Sequence, residues 1–103
     1  MKNFNQMLKQ AQALQQKMMD VQKEMEDKTV EATSGGGMVT AIVNGKQRVV
    51  ELKIEKQIID PNEIEMLQDL IVAAVNKGLE EAQNMVAEAV NQVTGNLNLP
   101  KIF

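Results

Sequence analysis

Residues 35–54, Gly-Gly-Gly-Met-Val-Thr-Ala-Ile-Val-Asn-Gly-Lys-Gln-Arg-Val-Val-Glu-Leu-Lys-Ile, decide the fold. Two runs of alternating apolar residues flank Asn44-Gly45, a pair that tolerates φ > 0 and so favours a type I′ hairpin turn. Strands are expected over Met38–Val43 and Lys46–Ile54, pairing Val43 with Lys46, Ala41 with Arg48 and Val39 with Val50. One face then carries Val39, Ala41, Val43, Val50, Leu52 and Ile54. The other carries Thr40, Val49, Glu51 and Lys53, as in an antiparallel sheet with one wet face. Upstream, Gly35-Gly36-Gly37 is a turn or bulge with free backbone choice. Before it, Thr29–Ser34 alternates weakly through Val30 and Ala32 and supplies a first strand.

A helix flanks the sheet on each side in sequence. Residues 3–27 contain no Gly or Pro and are rich in Gln, Lys, Met and Ala, all good helix formers. Phe4, Ala11, Met18 and Met25 fall on heptad position a, and Met7, Leu14 and Val21 on d, which makes a seam of about three heptads. Lys28 on the next d position ends the pattern. The second helix starts at Asp60-Pro61-Asn62-Glu63, with Asp60 as N-cap, Pro61 at N1 and Glu63 placed to close a capping box. Its apolar positions run from Ile64 through Leu67, Leu70, Ile71, Ala74, Val75, Leu79 and Ala82 to Val93, with Gly95 as the expected stop. Gly78 in its interior costs about 1 kcal/mol relative to Ala. It marks either a close crossing or a tolerated weak point.

Lengths set the architecture. Helices of about 25 and 32 residues span roughly 37 and 48 Å, whereas strands of six to nine residues span roughly 20–30 Å. The sheet cannot cover both helices, so their free lengths must pair and project beyond it. The surplus apolar surface implies a homodimer formed through the sheet region. The expected class is α+β, an α-β-β-β-α subunit with a small antiparallel sheet between two long helices. Residues 1–103 should form a single domain, with 95–103 a short tail, partly ordered at best.

Composition excludes several function classes. The chain has 103 residues, eight Met, two Phe and no Trp, Tyr, Cys or His. Disulfides, thiol nucleophiles, imidazole acid–base chemistry and the usual zinc sites are therefore absent. Residues 1–20 lack the apolar segment of a signal peptide, and the longest apolar run, Leu70–Val75, is too short to span a bilayer. A cytoplasmic protein is expected, with no membrane partner, no cofactor and no small-molecule substrate.

The net charge is −3, but it is unevenly spread. Nine of the eleven basic residues lie in 1–56 against seven acids, while 57–103 hold two bases and seven acids. Lys2, Lys9 and Lys17 occupy the first nineteen residues with no acid among them. Such a bipolar field steers a polyanion to one end of an acidic molecule. Lys2, Lys9 and Lys23 share heptad position f, and Lys17 lies beside them at g. They can neutralise phosphates, although f positions are ordinarily a solvated face. Lys46 and Arg48 near the hairpin offer a second contact, or else guard an edge strand against aggregation. Arg48 is the only arginine, so bidentate guanine readout is nearly excluded and sequence specificity should be weak. The glycine triplet lacks the spacing and Lys-Ser/Thr ending of a phosphate loop. The carboxylates Glu63, Glu65, Asp69, Glu80, Glu81 and Glu88 are scattered as on a solvated helix rather than gathered as for Mg²⁺. Met18, Met19 and Met25 suit a helix seam or an adaptable client surface.

Several stretches together resemble one family. These are Gly35-Gly36-Gly37-Met38-Val39, the Asn44-Gly45 turn, Asp60-Pro61, and the run Glu65-Met66-Leu67-Gln68-Asp69-Leu70-Ile71-Val72-Ala73-Ala74-Val75-Asn76. With Met7-Leu8-Lys9-Gln10-Ala11-Gln12, and Leu99-Pro100 before a final Phe103, they closely resemble the YbaB/EbfC family of bacterial nucleoid-associated proteins over essentially the whole chain. The resemblance implies a tweezer-like homodimer of α-β-β-β-α subunits that binds double-stranded DNA in the cytoplasm, at the nucleoid, without catalytic residues. The strongly acidic second helix leaves fewer phosphate contacts there. The candidate DNA-binding residues are thus Lys2, Lys9, Lys17, Lys23, Lys46 and Arg48. The alternative is a non-enzymatic scaffold or chaperone-like module, whose Met- and Gln-rich paired helices would hold a protein client. The acidic balance and scarcity of arginine favour the scaffold; the acid-free N-terminus and the resemblance favour DNA.

Overall fold

The protein is seen in a computed structural model that describes residues 2–96. Helix α1 (Lys2–Glu26) leads into strands β1 (Thr29–Ser34), β2 (Val39–Asn44) and β3 (Val49–Ile54). Two single 3₁₀ turns, Lys56–Ile58 and Pro61–Glu63, then lead into helix α2 (Ile64–Asn96). The strands form one antiparallel sheet in the order β1-β2-β3. This is the α-β-β-β-α order of an α+β domain, drawn out to 73 × 24 × 16 Å.

The sheet packs on α2, chiefly through β1 and β2. Val39, Ala41 and Val43 on β2 and Ala32 on β1 are buried against Ala74 and Ala82 of α2. The period of two on β2 meets a line of small residues at i, i+4 and i+8 on the helix, Ala74-Gly78-Ala82, so backbone approaches sheet closely. A Cβ on Gly78 would stand 2.7 Å from Val43 Cγ2, which makes Gly78 a close crossing. The Ser34 hydroxyl donates to the Leu70 carbonyl at 2.6 Å and ties the end of β1 to the same helix.

The glycine triplet is a turn, with φ of 61°, 68° and 93° at Gly35, Gly36 and Gly37. These left-handed values suit residues without a Cβ. The second hairpin corrects the sequence expectation. Asn44-Gly45 does not form a type I′ turn. The loop is Gly45-Lys46-Gln47, closed by the Gln47 N–H donating to the Asn44 carbonyl (2.9 Å) and the Asn44 N–H donating to that of Arg48 (3.0 Å). Asn44 Oδ1 accepts from the Lys46 and Arg48 N–H groups at 2.9 and 3.2 Å. The left-handed position falls on Gln47, φ 62°, as in a three-residue hairpin. Gly45 serves space instead: a Cβ there would collide with the Met25 carbonyl oxygen. The longer loop and a bulge near Val43 slide the register by four, pairing Val39 with Ile54 and Ala41 with Leu52. An even shift keeps those four on one face. Val50 does not pair with Val39; it is the unpaired residue between Val49, opposite Val43, and Glu51, opposite Ile42.

At the start of α2, Asp60 caps as expected, its carboxylate accepting the Asn62 N–H at 2.9 Å with Pro61 at N1. The first turn is 3₁₀ rather than α. The helix does not stop at Gly95 but continues to Asn96. The remaining tail, 97–103, lies outside the described residues.

The seam of α1 packs over only part of its length. Met25 is buried and Leu14, Met18 and Val21 are half-buried, whereas residues 3–13 are exposed throughout. Half-buried Val86, Val90 and Val93 continue the apolar face of α2 past the sheet, and α1 and α2 pack on each other there.

Candidate nucleic-acid interface

The described lysines of α1 stand on an exposed face. Lys9, Lys17 and Lys23 are all exposed, and the fourteen residues from Lys9 to Lys23 span about 21 Å of helix axis. That length matches roughly six base-pair steps of a duplex strand at 3.4 Å per phosphate. Asn and Gln crowd the first two-thirds of the same helix, including Asn5, Gln6, Gln10, Gln12, Gln15 and Gln16, and supply neutral donors for phosphate or sugar oxygens. Past Glu88, α2 carries no charge to its described end at Asn96. The distal arm is therefore cationic on α1 and neutral on α2.

Charge reverses toward the root. Asp20, Glu24 and Glu26 close α1 with Asp27 just after it, and Glu80, Glu81 and Glu88 lie on α2. Lys23 stands among these α1 acids. Asp20 accepts a hydrogen bond from Gln16 at 3.0 Å, and Glu24 pairs with Lys28 at 3.8 Å. The hairpin sets Lys46 beside Glu26, Nζ to Oε2 3.8 Å, because Gly45 seats the loop on the last turn of α1, its N–H donating to the Lys28 carbonyl at 3.1 Å. Both partners of that pair are about half exposed, so it holds little energy, but it offsets the Lys46 charge. Arg48 is exposed beside it.

The six sequence candidates thus do not form one patch. Lys9 and Lys17 share the acid-free arm. Lys46 and Arg48 sit at the root, about 26 Å along α1 from Lys9. Lys23 falls between, in mixed charge, and Lys2 opens α1. Sequence reading put Val50 and Leu52 on the sheet's apolar face and Val49 on its wet face, but did not foresee that all three stand exposed at the β3 edge. Val49, Val50 and Leu52 on β3 are exposed, Leu52 by 40%, because α2 lies over β1 and β2. Ile59, Ile64 and Val72 add to the uncovered apolar surface. Among the described residues no three carboxylates gather as a metal ion would require, and no helix is long and apolar enough to cross a membrane.

Comparison with known proteins gives the context. The model of the YbaB/EbfC DNA-binding family matches residues 1–97. A nucleoid-associated protein of Syntrophobacter fumaroxidans is 52% identical over 99 residues, 96% of this chain and 89% of that protein. One from Pelotomaculum thermopropionicum is 44% identical over 101 residues, 98% and 96% of the two chains. In shape, the chain is similar to the crystal structure of an uncharacterized Helicobacter pylori protein, with a TM-score of 0.61 over 85% of this chain and 95% of that one. At 22% identity that likeness concerns the fold.

Proposed function

The chain belongs to the YbaB/EbfC DNA-binding family, and on that footing we propose that it is a non-enzymatic, nucleoid-associated homodimer that binds double-stranded DNA through phosphates. The observation that carries this is the distal arm, an exposed α1 face with Lys9 and Lys17, no acid before Asp20, and an uncharged α2 end beside it. The acidic root repels the duplex and orients the molecule, so that the arms meet it first. With one arginine in the chain, the contacts position the protein without specifying sequence, which suits nucleoid organisation or broad gene regulation in the cytoplasm. Lys2 and Lys23 extend the contact line, and Lys46 and Arg48 form a weaker second contact at the root.

The dimer follows from β3. An apolar edge strand with open N–H and C=O groups is a template for pairing, and its inner face at Leu52 is left uncovered by its own α2. A second copy meeting the first there joins two single-domain subunits root to root and leaves two arms free, in the manner of tweezers.

A scaffold that holds a protein client is the second reading, favoured by the exposed Phe4, Met7 and Leu8 on the same arm. A gel-shift titration of duplex DNA at two salt concentrations, with an unfolded protein client as control, separates them. Retarded duplex whose affinity falls steeply with salt supports the DNA reading. Client binding without duplex binding overturns it.

A further inference from the structure

The tip of α1 carries an apolar stripe that the described residues leave open. Phe4, Met7 and Leu8 are 68, 66 and 49% exposed. The same seam becomes half-buried at Leu14 and stays packed through Met18 and Val21 to Met25. α2 is described to Asn96. The two helices run antiparallel here. Met25 abuts Gly45, and that loop faces Gln83, Val86 and Ala87, so later residues of α2 run back along earlier residues of α1. Phe4 lies ten residues beyond Leu14, about 15 Å along the axis.

We propose that this stripe is the seat of the chain's own C-terminal segment, Leu97–Phe103. α2 delivers the segment where the packed part of the α1 seam ends. Seven residues reach at most about 24 Å, enough to cover the 15 Å to Phe4. The chemistry fits as well. Leu97, Leu99, Ile102 and Phe103 are apolar. Pro100 disfavours helix at Leu99, so a course that leaves the α2 axis costs the segment little. The segment contains Lys101 and no Asp or Glu, so seating it buries the apolar stripe without adding an acidic side chain to the arm.

The test needs no DNA and is independent of the nucleic-acid reading. The chain has no cysteine, so Lys101→Cys accepts a single nitroxide in the full-length protein. Methionine methyl signals are then recorded with the nitroxide oxidised and reduced. The proposal predicts loss of most of the Met7 signal in the oxidised form, with Met38, in the turn between β1 and β2, retained. Equal retention of Met7 and Met38 overturns it. Co-refolded mixtures of spin-labelled, isotope-silent chains with unlabelled, isotope-visible chains must restore Met7. Undiminished loss in the mixture assigns the contact to another copy's tail and also overturns it. As a second measurement, deleting residues 97–103 must shift the Met7 methyl signal and leave Met38 in place; an unmoved Met7 overturns the proposal.

Discussion

Gly78 and Val43 meet so closely that a Cβ on the glycine would lie 2.7 Å from Val43 Cγ2. Val43 is fully buried, and its β-branched side chain has little rotamer freedom with which to retreat. The contact sets how near α2 lies to β2, and so where α2 leaves the sheet to become the arm.

Gly78→Ala tests that spacing. Helix propensity alone favours alanine by about 1 kcal/mol, while overpacking costs about 1–3 kcal/mol. Net destabilisation of up to about 2 kcal/mol is expected, read by thermal unfolding as a drop of up to several degrees. Val43→Ala, harmful alone, should partly rescue Gly78→Ala in a double-mutant cycle. A gain in melting temperature for Gly78→Ala would show that the helix and sheet are not in contact there.

Gly45→Ala should be worse. Its Cβ meets the Met25 backbone oxygen rather than a movable side chain, so the loop must lift from α1 and give up the Gly45 N–H bond to Lys28. A melting temperature lowered by more than in Gly78→Ala is the expected outcome. Equal stability to wild type would mean that the loop is free of the helix.

Leu52→Ala reports on the dimer. On a lone chain Leu52 is 40% exposed, and its truncation should cost about 1 kcal/mol or less. Covered by a partner it should cost about 2–5 kcal/mol and make the melting temperature depend more steeply on protein concentration. Sedimentation of the wild type at micromolar concentration should give about twice the monomer mass. A stable folded monomer with a mild Leu52→Ala effect would contradict the dimer.

These contacts also show what the sequence could disclose. The elements were legible because their periods are clean: two along Val39-Ala41-Val43, heptad spacing along Phe4–Met25, and a cap at Asp60. Hairpin register was not, because Asn44-Gly45 reads locally as a turn signal, whereas Gly45 answers to the Met25 carbonyl, twenty residues away. Gly78 was legible only as a pair of options, since the choice depends on which residue of β2 lies opposite. The lysines were legible as positions on a helix. The Lys46–Glu26 pair and the distance separating Lys46 from Lys9 were not, because both follow from where the hairpin docks. Exposure of β3 follows from α2 lying over only two strands, which no local pattern encodes.

The most direct test of the central claim is the salt dependence of duplex binding by the Lys9→Ala/Lys17→Ala double variant. Both residues lie off the α1 seam, so the fold should survive. For the wild type, log affinity should fall linearly with log salt, by about 0.9 per phosphate neutralised. In a dimer the double variant removes up to four contacts, so the slope should flatten by as much as about 3–4. Binding to unrelated duplexes should weaken alike. A folded double variant with unchanged affinity and unchanged slope would contradict the account and remove the α1 arm as the DNA-binding surface.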